Sequence, residues 1–355
     1  MMDGRSFVAA QDFLLGAKMY WTTRLYPELR EEFDQRQNKS SEPAQTAEDI
    51  AELMTGSVLY QNFAWLERHL QRFKYSGRYG LQAWHDQQRD ELTAALDTPV
   101  TDGMLSLDDD LKLPAYYTSV DIHQHPGGVY GDEIAGFVYE RGARSTTPML
   151  GGSHKDLHYR FADILLKQTG KARRVVDLGC GFGKSTRPIY EGFRDAEVIG
   201  VDLSEPCLKL AATEAVKAQA RNISFRQASA ETTGLDDGSC DVVTSTMLLH
   251  EMPPPAIRNL LSESFRLLEP GGRMSHLDFY LLPDPFLRFT HYAHSRRNNE
   301  PYMVPLAELD IEKELSDVGF TNISIQPFEE AAGALAIGKK TWRFPWTIIS
   351  AEKPL

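Results

Sequence analysis

The sequence has 355 residues, of which 42% are hydrophobic and 25% charged, with a formal net charge of −12. This balance excludes a mainly disordered chain, because enough apolar surface is present to form a core. The excess of 50 acidic over 38 basic residues argues against a nucleic-acid partner, since phosphates would be repelled. With three cysteines and no apolar run of membrane-spanning length, we predict a cytoplasmic protein that has no membrane partner.

The chain divides into three regions that differ in residue composition and in hydrophobic pattern. Residues 1–112 are predicted as a helical N-terminal region and residues 113–155 as a Tyr-, Gly- and Pro-rich connecting and covering segment. Residues 156–355 are predicted as an α/β domain with a cap insertion at about 281–305. The N-terminal helices are candidates for an acceptor lid or a homodimer interface, and whether tryptophans such as Trp65 are exposed or buried stays open.

From about residue 156, short β-branched strands alternate with helices. This alternation is typical of a mostly parallel sheet covered by helices on both faces. Two C-terminal strands have no clear helix between them, so one strand should be antiparallel. We therefore predict an α/β fold with a Rossmann-like, doubly wound, seven-stranded sheet. The strands expected are 174–177, 196–201, 223–226, 240–245, 273–279, 322–327 and 342–351.

The most informative stretch is Asp-Leu-Gly-Cys-Gly-Phe-Gly, which starts at Asp177 and places glycines at 179, 181 and 183. Glycines after a buried strand allow a sharp turn and a close approach of ligand to the main chain. The spacing fits neither a phosphate-binding P-loop nor a dinucleotide fingerprint. A diphosphate would also lie close to the Asp177 carboxylate. A ligand with a cationic end suits that carboxylate better.

This spacing resembles the first motif of class I S-adenosylmethionine-dependent methyltransferases, of the type 11 or 25 domain. The Pro-Gly-Gly turn after Glu269 is similar to the turn before that family's fifth strand. The resemblance covers roughly residues 156–355 and implies S-adenosylmethionine as cofactor. Asp202 would accept hydrogen bonds from a ribose diol. The implied cofactor-binding residues are Asp177, Gly179, Gly181, Gly183, Asp202, Leu203, Ser229, Ala230 and Thr246.

The catalytic candidates are His250 and Glu251, which follow the fourth predicted strand of the α/β domain. His250 is the candidate general base, because neutral imidazole is suited to that role near pH 7. A structural histidine that bonds the backbone is the alternative. The predicted substrate pocket consists of Tyr139, His276, Asp278, Phe286, Phe289 and Tyr292.

Histidine spacing raises the question of a metal site. The pairs are His123 with His125, His154 with His158, and His291 with His294. Because no clear third ligand accompanies any pair, we predict no metal.

These features together predict methyl transfer to a small-molecule acceptor, by in-line displacement with or without a general base. The aromatic residues after the fifth strand favour a hydrophobic or aromatic metabolite. Two alternatives stay open. One is an S-adenosylmethionine-binding enzyme with non-methylating chemistry, such as a cyclase or decarboxylase. The other is a non-catalytic interaction protein.

Overall fold

The computed structural model describes residues 3–144, 155–337 and 341–355. Its centre is an eight-stranded sheet in the order β1-β4-β3-β2-β5-β6-β8-β7. Only β8 runs antiparallel to its neighbours, β6 and β7. The predicted fold class is thus confirmed. The strands are β1 Leu105–Ser106, β2 Arg174–Leu178, β3 Glu197–Asp202, β4 Ile223–Gln227, β5 Cys240–Thr246, β6 Leu268–Phe279, β7 Thr321–Pro327 and β8 Trp346–Glu352.

The sheet has one strand more than expected. β1 comes from the region predicted as helical and pairs in parallel with β4, with Leu105 opposite Phe225. The Phe225 N–H donates a 2.7 Å hydrogen bond to the Met104 carbonyl oxygen. Two residues are too few for a hydrophobic pattern that predicts a strand. Leu105 and Ser106 form one because they pair with the open edge of β4.

The N-terminal region is helical, as predicted. A π-helical turn, Trp21–Leu25, joins its first two helices. The capping box at Thr46 is present, because Thr46 and Asp49 each bind the other's backbone N–H. The helix it starts ends at Leu53, and a separate helix begins after Ser57, which caps it. The helices are α1 Gly4–Tyr20, α2 Tyr26–Gln37, α3 Ala47–Leu53, α4 Val58–Tyr75, α5 Leu81–Asp86 and α6 Arg89–Leu96.

The remaining helices cover the sheet and link it to the N-terminal region. They are α7 Ala115–Thr118, α8 Ala135–Ala143, α9 Lys155–Thr169, α10 Thr186–Gly192, α11 Glu205–Lys217, α12 Pro254–Leu267, α13 Pro285–Asn298, α14 Met303–Glu308, α15 Ile311–Val318 and α16 Ala334–Ile337. Short 3₁₀ turns lie at Ile122–Gln124 and Leu249–Glu251. Within the described ranges, none of the helices has the length and apolarity needed to cross a bilayer.

The register of the sheet decides which side chains can meet. Asp177 in β2 lies opposite Gly200 in β3 and Thr244 in β5. Thr246 at the end of β5 lies opposite Leu277 in β6. The carboxyl ends of β2, β3, β5 and β6 are therefore at one edge, where ligands bind in open α/β sheets.

Candidate active site

A cleft of about 260 Å³ opens at this edge, and the loop after β2 forms one wall of it. The φ angles of Gly179, Gly181 and Gly183 are 67°, 51° and 79°, which glycine adopts without steric cost. A Cβ on Gly179 would lie 2.7 Å from Leu248 Cδ1, whereas one on Gly181 would meet no atom within 4 Å. The backbone at Gly181 is therefore open to a ligand.

Asp202, at the end of β3, lies beside this loop and lines the cleft. Its Oδ2 accepts a 2.8 Å hydrogen bond from the Gly181 N–H, and its Oδ1 accepts one of equal length from the Ser204 N–H. Withdrawal from solvent raises the pKa of Asp202 to about 6. Each carboxylate oxygen keeps a second lone pair, so the pair of oxygens can still accept two ligand hydroxyls.

Asp177 lies elsewhere than expected. It is fully buried and is not among the residues that line the cleft. Its Oδ2 accepts a 2.7 Å hydrogen bond from Thr186 Oγ1 at the start of α10, and burial raises the pKa of Asp177 to about 7. Asp177 thus lies behind the cleft rather than in its lining, and its contact with a cationic ligand stays a prediction. Side-chain alternation on β2 turns it toward α10, where it fixes the end of the glycine loop.

Two other cofactor candidates also lie outside the lining. A Cβ on Gly183 would lie 3.1 Å from Ala211 Cβ, so this glycine lets the loop pack against α11. Ser229 Oγ accepts a 3.1 Å hydrogen bond from the Glu231 N–H, which engages it in a local turn. A direct contact of either residue with the cofactor stays a prediction. Leu203, Ala230 and Thr246 do line the cleft.

His250 lines the cleft and forms a dyad with Asp278, because its Nδ1 lies 2.6 Å from Asp278 Oδ1. Asp278 also accepts hydrogen bonds of 2.7 and 2.8 Å from the N–H groups of Leu249 and Phe279. Although burial opposes ionisation, these partners hold the pKa of Asp278 below its usual value. The ionised carboxylate therefore fixes the proton on Nδ1 and leaves Nε2 as the basic nitrogen.

Asp278 is fully buried and does not itself line the cleft. The expectation that it contacts the acceptor is corrected, and its place is behind His250. Burial alone would lower the pKa of His250, but Asp278 raises it above the ordinary value.

Glu251 lines the cleft, but its carboxylate is already paired. Glu251 Oε1 lies 3.1 Å from His123 Nε2, and His123 Nδ1 lies 3.2 Å from Glu300 Oε1. Although burial disfavours the charged forms, the carboxylates raise the pKa of His123 to about 9, and His123 helps to lower that of Glu300 to about 2. The three side chains form a charged cluster that ties the covering segment to the end of β5.

The backbone at this cluster is held in an unusual conformation. His123 and Gln124 have φ angles of 58° and 57°, a left-handed region that costs a non-glycine residue roughly 1–2 kcal/mol. Gln71 Nε2 donates a 2.9 Å hydrogen bond to the His123 carbonyl, and Gln124 Nε2 donates one of 2.6 Å to the Arg297 carbonyl. Contacts with two helices therefore stabilise the turn that presents His123.

We expect His123→Gln to remove a pH-dependent contribution to stability. Because its pKa is raised from 6.5 to about 9, protonated His123 stabilises the folded state fully below pH 6.5, and this contribution disappears as pH rises through about 9. Its size is at most about 3 kcal/mol. Urea unfolding on both sides of this window measures the difference. The wild-type protein should lose more stability across it than the variant does.

His69→Gln serves as the matched control, because His69 in α4 has no carboxylate partner among the described residues. It should keep the wild-type pH dependence. Equal losses in the wild type and His123→Gln would mean that the His123 charge is not the cause.

Tyr139 from α8 lines the cleft, and its contact with the acceptor stays a prediction. Its ring lies parallel to His123 at 6.1 Å between centroids and meets Phe182 edge-on at 5.3 Å. Nearby, Tyr117 and Tyr130 of the covering segment pack together at 5.1 Å and also line the cleft. These tyrosines lie over the glycine loop.

The other end of the cleft is aromatic, and no sequence motif predicted its residues. Phe279 and Phe344 stack at 4.2 Å, and Trp21 packs against Trp342 at 5.1 Å. Trp346 belongs to the same wall. The one available signal was the Trp-Arg-Phe-Pro-Trp run at 342–346, which carries no motif. This wall is assembled from the start and the end of the chain.

A buried ion-pair cluster lies beside this wall, and two of its residues, Glu67 and His294, also line the cleft. Glu67 in α4 accepts a hydrogen bond from Arg297 Nε and lies 2.5 Å from His294 Nδ1. Although burial opposes it, these two partners hold the pKa of Glu67 below its usual value. The cluster joins α4 to α13, and it was not anticipated from the sequence.

The aromatic residues of the insertion at 281–305 do not line the cleft. Phe286 stacks on Phe33 of α2 at 4.8 Å, and Phe289 and Tyr292 are buried in the same core. The expectation that these aromatic residues wall the acceptor pocket is therefore corrected, whereas His294, Asn298 and Glu300 of the same insertion do line the cleft. The periodic aromatic residues of α13 face α2, α3 and α4, because burial against those helices removes more apolar surface from water.

The predicted pocket residue His276 is also fully buried, and its Nδ1 lies 2.7 Å from Ser245 Oγ of the neighbouring strand. It is not part of the cleft lining, so the expectation of acceptor contact is corrected. It lies opposite Ser245, one residue before the end of β5.

Histidines of these pairs contact an aromatic ring or a carboxylate instead. His125 stacks on Tyr75 at 4.8 Å, and His294 pairs with Glu67. Among the residues that the structure describes, no group of three or more His, Cys, Asp or Glu could hold a metal ion. His154 lies outside the described residues.

Comparison with known proteins gives one family match. Residues 175–272 match a family described as a methyltransferase domain. The matched range runs from β2 through the glycine loop, β3 and β5 to the Pro-Gly-Gly turn in β6.

Two curated relatives are 30% identical to the chain. An uncharacterised methyltransferase of Synechocystis matches over 146 residues, or 41% of this chain and 63% of the relative. A ubiquinone/menaquinone biosynthesis C-methyltransferase of Syntrophotalea carbinolica matches over 141 residues, or 40% of this chain and 58% of the relative. The chain thus spans about three fifths of the length of these relatives.

Among solved structures, a phosphoethanolamine N-methyltransferase of Haemonchus contortus in complex with S-adenosylmethionine is 19% identical, with a TM-score of 0.43. The match covers 59% of this chain and 58% of that chain.

Proposed function

We propose that this chain, whose residues 175–272 match a family described as a methyltransferase domain, is a class I S-adenosylmethionine-dependent methyltransferase that methylates a protic group on a small aromatic or hydrophobic acceptor. The family resemblance expected from the glycine motif is confirmed. The observation that carries the proposed reaction is the His250–Asp278 dyad, with its 2.6 Å contact. His250 lines the cleft together with the glycine loop and the aromatic wall.

The cleft residues fit S-adenosylmethionine. The remaining lone pairs of Asp202 can accept hydrogen bonds from the ribose hydroxyls, and the backbone at Gly181 is open to the same ligand. Leu203 and Ala230 line the cleft where the base would lie. Lys184 lines the cleft and suits the carboxylate of the amino-acid tail; burial lowers its pKa to about 8, so it still carries a positive charge at neutral pH. When bound, the cofactor supplies a methyl group activated by a positively charged sulfur.

The residues of the chain then have two tasks. The aromatic wall of Trp21, Trp342 and Phe344 holds a flat acceptor and excludes water. His250 Nε2 removes the acceptor proton, and Asp278 holds the Nδ1 proton and stabilises the imidazolium that forms. A base of this kind is needed where the acceptor is a hydroxyl, as in a phenol.

The relative from Syntrophotalea is named for methylation in ubiquinone and menaquinone biosynthesis. Its name supports a small-molecule acceptor of the quinone class. The aromatic rings at the acceptor end of the cleft support a flat acceptor of this kind.

The direct test is incubation of the full chain with S-adenosylmethionine and a panel of phenols and quinols, followed by mass spectrometry. S-adenosylhomocysteine should accumulate only when an acceptor is present, in step with a methylated product. Consumption of the cofactor without S-adenosylhomocysteine would instead favour cyclase or decarboxylase chemistry.

Asp202→Ala should weaken S-adenosylmethionine binding by about 1–3 kcal/mol, that is roughly 5- to 150-fold in Kd, because two hydrogen bonds to a carboxylate are lost. Titration calorimetry of the wild type and the variant measures this. Asp195→Ala is the matched control, since Asp195 is exposed in the turn before β3. An unchanged Kd in Asp202→Ala would remove Asp202 from the site.

A further inference from the structure

The outward side of α4 carries an exposed row of aromatic rings. Trp65 is 58% exposed and Phe73 is 50% exposed. His69 lies between them, with its ring 4.3 Å from Trp65 and 5.9 Å from Phe73 between centroids. The three rings, each four residues apart, form a continuous ladder along the helix surface. A water-exposed aromatic surface of this kind on a helix marks an interaction site.

The two sides of α4 differ in charge. At 100° per residue, the exposed positions from Val58 to Phe73 fall within an arc of about 140°. This arc contains Arg68 and Arg72 but no carboxylate, because the one acidic residue of the helix, Glu67, is buried on the other side. The exposed face is therefore both aromatic and cationic.

The neighbouring helix α1 extends this face. α1 packs against α4, and Gln11 Nε2 bonds the Tyr79 carbonyl just beyond the end of α4. Phe13 is 69% exposed and Tyr20 is 52% exposed. Of the ten large hydrophobic side chains exposed among the described residues, eight lie between Val8 and Tyr79. We call the exposed surface of α1 and α4 the aromatic face.

The arginines of this region have no acidic partner among the described residues. Arg5, Arg24, Arg68, Arg72 and Arg78 are all exposed, and each is without a carboxylate within salt-bridge distance in that part of the chain. Five exposed arginines without a carboxylate partner contrast with the net charge of −12 of the whole chain. Of these, Arg68 and Arg72 lie on the exposed arc of α4, and their charge favours an anionic partner.

We propose that the aromatic face docks on the surface of an anionic lipid bilayer. Exposed Trp, Phe and Tyr next to Arg suit the boundary between headgroups and acyl chains, where rings insert and guanidinium groups meet phosphates. The helices would lie in the plane of this boundary. The docking does not depend on the proposed reaction.

A second copy of the chain fits this face less well. In a two-fold dimer the same patch lies on both subunits, so both sides of the interface would carry Arg68 and Arg72. Like charges brought together in this way oppose association. Anionic headgroups neutralise them instead.

The opposite sides of the same helices line the acceptor end of the cleft. Lys18 of α1 and Leu70 and Gln71 of α4 are part of that lining. The helices are one layer with the bilayer on one side and the cleft on the other. An acceptor dissolved in the bilayer would therefore need to travel only about one helix diameter, roughly 10 Å, to reach the cleft.

The test is sedimentation of the full chain with sucrose-loaded vesicles of phosphatidylcholine alone or with about 30% phosphatidylserine. The protein should pellet with the anionic vesicles, and about 0.5 M NaCl should weaken this binding, because salt screens the arginines. Arg68→Gln with Arg72→Gln should lower the partition coefficient about 30-fold, from about 1 kcal/mol per arginine. Trp65→Ser with Phe73→Ser should lower it at least about tenfold.

The controls are Arg221→Gln and Leu335→Ser, which change an exposed arginine and an exposed leucine away from α1 and α4. Both should bind as the wild type does. Circular dichroism shows that each variant is folded. As a second readout, tryptophan fluorescence should shift to the blue on vesicle binding, and Trp65→Phe should bind but lose most of the shift.

Two results would overturn the proposal. One is failure of the folded wild type to pellet with anionic vesicles. The other is a dimer in light scattering that Trp65→Ser dissociates, which would assign the face to a second copy.

Discussion

His250→Gln is expected to lower kcat by about 10²- to 10⁴-fold, the usual contribution of a general base. Binding of S-adenosylmethionine should be nearly unchanged, because the side chain keeps its size and the base acts on the acceptor. Steady-state assays with the acceptor found in the panel measure kcat, and titration calorimetry measures cofactor affinity. Full activity of the variant would mean that His250 is not a general base and that alignment of the reactants alone accounts for catalysis.

Asp278→Asn is the companion variant, because Asp278 acts through His250. The pKa of His250 is raised by Asp278, so removing this charge should move the acid limb of the pH–rate profile to lower pH. The rate at the plateau should fall, since the Nδ1 proton is no longer held. A lower rate with an unmoved acid limb would indicate a structural defect instead.

Glu67→Ala is expected to destabilise the protein by about 3–5 kcal/mol, the cost of leaving buried charge without its partner. The variant removes the carboxylate that Arg297 and His294 contact. Because this cluster joins α4 to α13, the loss should separate the N-terminal helices from the rest of the molecule. Urea unfolding followed by tryptophan fluorescence measures the shift in midpoint.

Arg258→Ala provides the contrast. Arg258 and Glu314 form an exposed ion pair with contacts of 2.8 and 2.9 Å, and exposed pairs contribute only about 0–1 kcal/mol. Its midpoint should stay close to the wild-type value. If both variants unfold at the same urea concentration, burial of the Glu67 cluster does not carry the stability assigned to it.

The sequence by itself determined the features that depend on short stretches of chain. Alternating strands and helices predict the parallel sheet, and the three glycines after Asp177 predict a turn that only positive φ angles can make. Asp202 and His250 could be placed at strand ends for the same reason. The hydrophobic periodicity and the backbone sterics of the glycines depend on a few neighbouring residues, so both can be recognised in the sequence before the fold is known.

The tertiary structure alone decided which side chains meet. Asp177 faces α10 rather than the cleft, Phe286 packs into the core, and His250 meets Asp278 across 28 residues of sequence. Glu67 and Arg297 are 230 residues apart. Contacts of this kind depend on strand register and helix packing, which place distant residues within a few ångströms, and no spacing along the chain encodes that distance.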